Sequence, residues 1–117
     1  MRGAMTTLKV DGTRAVASLD KPPDLETLRA GIGGGWLEAV PGWKTFIPLL
    51  SGPVPCEAFC DEDGKRKQLP YNQSATWQWH AAMQRDGFNF MPDDLLGDVV
   101  VLTGDRKFMR SLRDDGE

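Results

Sequence analysis

The stretch "GDVVVLTG" (97–104) carries four consecutive apolar residues, Val99 to Leu102, between glycines. A short apolar run bounded in this way reads as a buried strand. A sheet is therefore expected around it, and the segments upstream must supply its neighbours.

Working back along the chain, "QSATWQWHAAMQRDG" (73–87) reads as a helix, capped by Asn72 or Ser74 and ended by Gly87. At about 100° per residue, Ala75, Trp79, Ala82 and Met83 share one face, and Trp77 and Ala81 fall roughly opposite. Trp77 is then either packed under residues 44–55 or offered to a partner.

"CEAFC" (56–60) reads as a strand, "DEDG" (61–64) as a turn, and "KRKQL" (65–69) as a short polar strand returning from it. Asp63-Gly64 is hairpin chemistry, in which glycine takes the positive φ and aspartate bonds its own backbone. The three acids invite a metal reading. A calcium loop, however, needs its glycine at the sixth position, and here it stands at the fourth. Consecutive carboxylates on a turn also splay apart instead of converging. The basic run Lys65, Arg66 and Lys67 is expected to solvate an exposed strand and to neutralise the turn acids.

"KTFIPLLSGPVP" (44–55) is apolar but holds three prolines, so it cannot be a central strand. It is expected as an excursion covering one edge of the sheet. "GWLEAVPGW" (35–43) reads as a strand with Trp36, Glu38 and Val40 on one face; if that face is the core, Glu38 needs a charged partner. Before it, residues 24–32 read as a helix with Asp24 as N-cap and an apolar stripe of Leu25, Leu28 and Ile32. Gly31 and Gly33 to Gly35 end it. That glycine run lacks both the following helix and the lysine of a phosphate-binding loop. "LKVDGTRAVASLD" (8–20) turns at Asp11-Gly12 and gives two short strands, or one strand with a turn.

The whole reads as an α+β domain: a mainly antiparallel sheet of about five strands with two helices packed on it, in the order β-β-α-β-β-β-α-β. The domain runs from 8 to 104. Residues 1–7 are expected as a flexible N-terminus, with Met5 an alternative start. Residues 105–117 are expected as a short helix or acidic tail, with Phe108, Met109 and Leu112 inward. The expected core is Leu8, Val10, Leu25, Leu28, Ile32, Leu37, Val40, Phe59, Trp79, Met83, Val99 and Val101.

The bulk numbers agree with a single domain. The chain has 117 residues, of which 40% are hydrophobic, enough for one core and too few for two. Fourteen basic against 17 acidic side chains give a net charge of −3, which disfavours nucleic acid as a partner. No run approaches the roughly 18 apolar residues of a membrane helix. A cytoplasmic location, in a host bacterium, is expected. Cys56 and Cys60 on one strand would lie about 13 Å apart at about 3.3 Å per residue, too far for a disulfide. With His80 the only histidine, no metal site or cofactor is expected. Asp61 and Glu62 beside Cys60 should raise its thiol pKa, and no G-x-S-x-G occurs, so no catalytic residue is expected.

Four motifs in order carry a resemblance: "GGGWLEAV", the hairpin "DEDGKRKQ", the turn and helix start "LPYNQSAT", and "DDLLGDVVVLTG". Over roughly residues 8–104 the chain resembles a small family of uncharacterised proteins found mainly in phages and bacterial mobile elements. It departs from that pattern in a longer 44–55 segment. The resemblance implies a phage accessory gene and no chemistry. Two functions follow as expectations. The first is a small accessory protein that binds a host protein, without catalysis. The second is a protein that sequesters a small phosphorylated signal molecule. Candidate binding residues are Trp36, Trp43, Phe46, Lys65, Arg66, Lys67, Asn72 and Trp77, and a homodimer is allowed for.

Overall fold

The computed structural model describes residues 1–48, 51–88 and 93–114, with only the backbone of Asp114. Strands β1 (Gly3–Leu8) and β2 (Arg14–Leu19) form the first hairpin, and helix α1 (Leu25–Gly31) follows. Then come β3 (Leu37–Ala39), β4 (Thr45–Phe46), β5 (Val54–Pro55) and β6 (Glu57–Asp61). Helix α2 (Gln73–Arg85), strand β7 (Val99–Gly104) and helix α3 (Arg106–Asp114) complete the order. The main sheet has five strands, β2-β1-β7-β6-β3, with every pairing antiparallel. Strands β4 and β5 form a separate two-stranded sheet. The fold is thus α+β around a five-stranded antiparallel sheet, as expected, with one helix more.

Strand β7 sits at the centre, and Val99 to Leu102 are fully buried. Alternation sends Val99 and Val101 into one cluster with Ala75, Trp79, Ala82 and Met83 of α2. Leu102 joins Phe108 and Met109 of α3 in a second cluster, against Met5, Leu19 and Leu28. A strand covered on both faces gains no stability from polar residues at alternate positions, hence the unbroken apolar run.

Several expectations need correction. The first strand begins before residue 8: Gly3–Leu8 is an internal strand that pairs with both β2 and β7. Of the two expectations for residues 105–117, the short helix is the one found over their described part, with Phe108 and Met109 buried and Leu112 packed against them. Asp105 caps α3 by accepting from Phe108 N at 2.8 Å, and Phe108 is fully buried. "KRKQL" forms no strand. Strand β6 already has β3 on one side and β7 on the other, so no edge is left for a returning strand. Residues 62–68 instead wind into turns, with Lys67 N donating to Asp63 O and Leu69 N to Gly64 O. The positive φ falls at Gln68 (56°), not at Gly64. Val10 and Leu25 are exposed, because Val10 lies beyond the end of β1 and Leu25 opens α1 on its solvent side.

The described part of the proline-bearing excursion packs over the α2 face of the sheet and reaches its edge strand, where Pro48 and Ser51 line a cleft with Arg14 and Val16 of β2. Phe46 (1% exposed) and Trp43 (3%) lie edge to face in the first core cluster, their rings 6.3 Å apart. Arg85 of α2 donates to Thr45 Oγ1 at 2.8 Å, and Thr45 donates in turn to Asp86. Two of the excursion's residues, Leu49 and Leu50, lie outside the described residues.

Candidate functional site

Three local features shape the surface where β3 and β6 end. Asp61, the last residue of β6, has its side chain buried. Its Oδ1 accepts from Asp63 N at 2.8 Å, which starts the turn, and its Oδ2 receives Lys67 Nζ at 2.8 Å. Across from it, residues 93–96 are pinned to the start of α2. Asn72 N donates to Leu95 O at 2.9 Å, and Leu95 N donates to Thr76 Oγ1 at 2.9 Å. Lys65 then ties the turn to Asp93 through an ion pair.

Between these features lies a cleft of ≈ 350 Å³. Val40, Cys60, Trp79 and Leu95 make its floor, and all four are buried. Its exposed rim carries four carboxylates, Glu38, Glu62, Asp93 and Asp94, with the cation Lys65, while the fifth lining carboxylate, Asp61, is buried and neutralised by Lys67. Glu38, Glu62 and Asp94 have no cationic partner among the described residues. Glu38 is exposed, so it does not need the partner that a core position would have demanded. An apolar floor beneath an anionic rim suits a cationic group on an apolar stem.

Burial pushes the Cys60 thiol up to about 11, with Glu38 and Asp61 adding to the effect. Burial likewise pushes Cys56 up to about 12. Both are free thiols in protonated form at neutral pH. Among the described residues, no three His, Cys, Asp or Glu side chains converge as metal ligands.

The candidate residues divide into four groups. Asn72 is wholly buried and structural: it caps α2 by accepting from Ala75 N at 3.0 Å, while its Nδ2 donates to Leu8 O and Gly97 O. Trp43 and Phe46 are core residues, as described above. Trp77 (63% exposed) faces solvent on α2, away from the excursion's core residues, and Trp36 (56%) stands under the Arg29 guanidinium, 4.1 Å from its ring. Arg29 also donates to the carbonyls of Gly34 and Gly35, so the glycine run wraps a side chain. Lys65, Arg66 and Lys67 are each paired, with Asp93, Asp63 and Asp61 respectively. The expected neutralisation of the turn acids holds for Asp61 and Asp63 but not for Glu62, since Lys65 goes to Asp93 instead, and among the described residues no unpaired basic cluster remains in the 65–67 run.

Sequence reasoning passed over two features. The cleft rim joins residues 38, 62 and 93–94, and only the sheet order brings them together. The other is local: Arg106, Arg110 and Arg113 stand at i, i+4 and i+7 on α3 and line a second cleft of ≈ 450 Å³ with Pro55 and Met109. That spacing was visible in the sequence. Compared with protein-family models, curated proteins and solved structures, the chain matches none.

Proposed function

We propose that the protein is a non-catalytic docking module, an accessory protein of phage or mobile-element type that binds a host protein. The carboxylate-rimmed cleft receives a lysine or arginine side chain of that partner. The observation that supports the reading is the cleft itself, with its apolar floor, four exposed rim carboxylates and single rim lysine. The stem of a basic side chain fits the floor and its head fits the rim. Exposed Trp77 adds an aromatic anchor of the kind interfaces use. The test is calorimetric titration with a lysine- and arginine-rich peptide and with an acidic peptide of equal length. Binding of the basic peptide alone, weakened by salt and lost in Glu38→Gln/Asp94→Asn, is expected. Equal binding of both peptides, or basic binding indifferent to that variant, overturns it.

The second reading, capture of a small phosphorylated molecule, draws support from the α3 arginines. The cleft itself repels phosphate, and Lys65 to Lys67 are paired. Arg106 and Arg110 have no carboxylate partner among the described residues, and arginine forks suit phosphate oxygens. Pyrophosphate titration separates the readings: binding lost in Arg106→Gln/Arg110→Gln favours the second, and no binding removes it.

A further inference from the structure

Strand β2 forms one edge of the sheet and is exposed along its middle, with Val16 58% exposed. Two hydrogen bonds fix which way its backbone faces. Lys9 N donates to Thr13 O at 2.9 Å, and Asp105 N donates to Arg2 O at 2.8 Å. Odd-numbered residues of β1 therefore bond to β2, and even-numbered ones to β7. Because bonding direction alternates along an antiparallel ladder, Arg14, Val16 and Ser18 turn their N–H and C=O groups to the edge that has no strand partner among the described residues, with Pro48 and Ser51 beside the Arg14 and Val16 side chains.

Proteins usually blunt such an edge with lysine, proline or a bulge. Strand β2 (RAVASL) has no lysine or proline, its one charge being Arg14 at its first position, and its register with β1 runs unbroken from Gly3↔Leu19 to Leu8↔Arg14. The opposite edge, β3, is only three residues long and carries Glu38 at its middle.

We propose that β2 pairs antiparallel with β2 of a second copy, across a two-fold axis at Ala17, so that the two sheets join into one. The edge-facing groups then meet in register: Val16 lies opposite Ser18 of the partner subunit, and Arg14 lies opposite Asp20 of the partner subunit. Charge selects this register. The Arg14 guanidinium reaches Gln78 Oε1 at 3.2 Å and stands 5.3 Å from the Phe46 ring centre, with no carboxylate partner among the described residues. Asp20 is exposed and has no cationic partner among them either. An axis at Val16 would set Arg14 against Ser18 and leave both charges unmatched. The two-fold makes the Arg14–Asp20 match twice, which favours a second copy over an unrelated strand. A seam of one strand per copy falls below the ~1,200 Å² of standard interfaces, so a micromolar dissociation constant is expected.

The β2 edge lies at the far side of the sheet from the acidic cleft, so either proposal can fail without the other. The test is sedimentation velocity from low micromolar to near-millimolar protein, with circular dichroism to check folding. Val16→Pro removes an edge-facing N–H without touching the β1 ladder and should leave a folded monomer. Asp20→Arg, at an exposed position, should weaken the dimer about tenfold at low salt, and Arg14→Asp/Asp20→Arg should restore it. A monomer at every concentration, or a dimer indifferent to both Val16→Pro and Asp20→Arg, overturns the proposal. A dimer broken by Val16→Pro but unmoved by Asp20→Arg overturns the register.

Discussion

Gly35 lies directly against the Asp61 carboxylate, so close that a Cβ at position 35 would overlap its oxygens. Asp61 cannot easily retreat, because its two oxygens hold Asp63 N and Lys67 Nζ. Gly35→Ala should therefore break the Lys67 pair and loosen the turn that forms one wall of the cleft. The expected loss is about 1–3 kcal/mol, the usual range for overpacking a tight site. Urea denaturation measures it. A change within about 0.5 kcal/mol would show that the turn yields freely.

Asn72 and Ser74 were equal candidates for the α2 cap, and the structure separates them. Asn72→Ala removes the cap and leaves the Leu8 and Gly97 carbonyls without their side-chain donor. The loss should be about 2–4 kcal/mol. Ser74 Oγ only receives Gln78 Nε2 on a half-buried turn, so Ser74→Ala should stay within about 0.5 kcal/mol. Thermal melts of the two variants side by side decide it.

Much of the fold was legible because its signals are local. The β7 run, the α2 stripe, the Asp24 cap and the Asp11-Gly12 turn each lie within a single window. The failures share a cause, dependence on partners distant in sequence. "KRKQL" carries a strand-like pattern, but both sides of β6 are taken by β3 and β7. Residues 1–7 read as a flexible N-terminus, yet β7 recruits Gly3 to Thr7 from about a hundred positions away. Trp43 and Phe46 read as exposed because their segment is rich in proline, while α2 supplies the anchor that buries them. Of the cleft, only Lys65 was named as a binding residue, and the cleft as a whole was not legible because its rim comes from three separate stretches.

The two thiols should be silent in the native state. Burial is the main cause that lifts Cys56 to about 12 and Cys60 to about 11, so almost no thiolate exists at pH 8. A disulfide-exchange reagent should label neither thiol until denaturant is added, and then both. The linkage has a definite sign. A folded-state pKa raised above the unfolded value gives stability that is intact below about pH 8.5 and is lost as pH rises toward 11–12. Cys56→Ala/Cys60→Ala should flatten that alkaline decline, and equal slopes in the two proteins would refute the assignment.

At the acid end the helix caps set the sign. The Thr27 hydroxyl and N–H hold Asp24 below the ordinary carboxylate range. The Phe108 and Arg2 backbone N–H groups do the same for Asp105. Depressed folded-state values give stability that is present above about pH 4 and is lost as pH falls further. Asp24→Asn and Asp105→Asn keep an acceptor at each cap but remove the titration. Both should show a shallower loss of stability between about pH 4 and pH 2 than the parent chain, measured by urea midpoints across that range.

Phe108 joins the two ends of the chain. Its ring fills the space left by the absent side chain of Gly3, where a Cβ would collide with three ring carbons, and it also lies against Gly104. Phe108→Ala should cost about 3–5 kcal/mol, because the ring is wholly buried against Leu102 and Met109. Gly3→Ala should be costly in the parent chain for lack of room. In the Phe108→Ala background the same methyl enters the vacated space, so its cost should fall. The expected coupling in the double-mutant cycle is at least about 0.5 kcal/mol. Strict additivity would mean that α3 shifts bodily away from the sheet and does not hold a fixed ring position. The cycle thus tests whether residues 106–114 belong to the core or only lean on it.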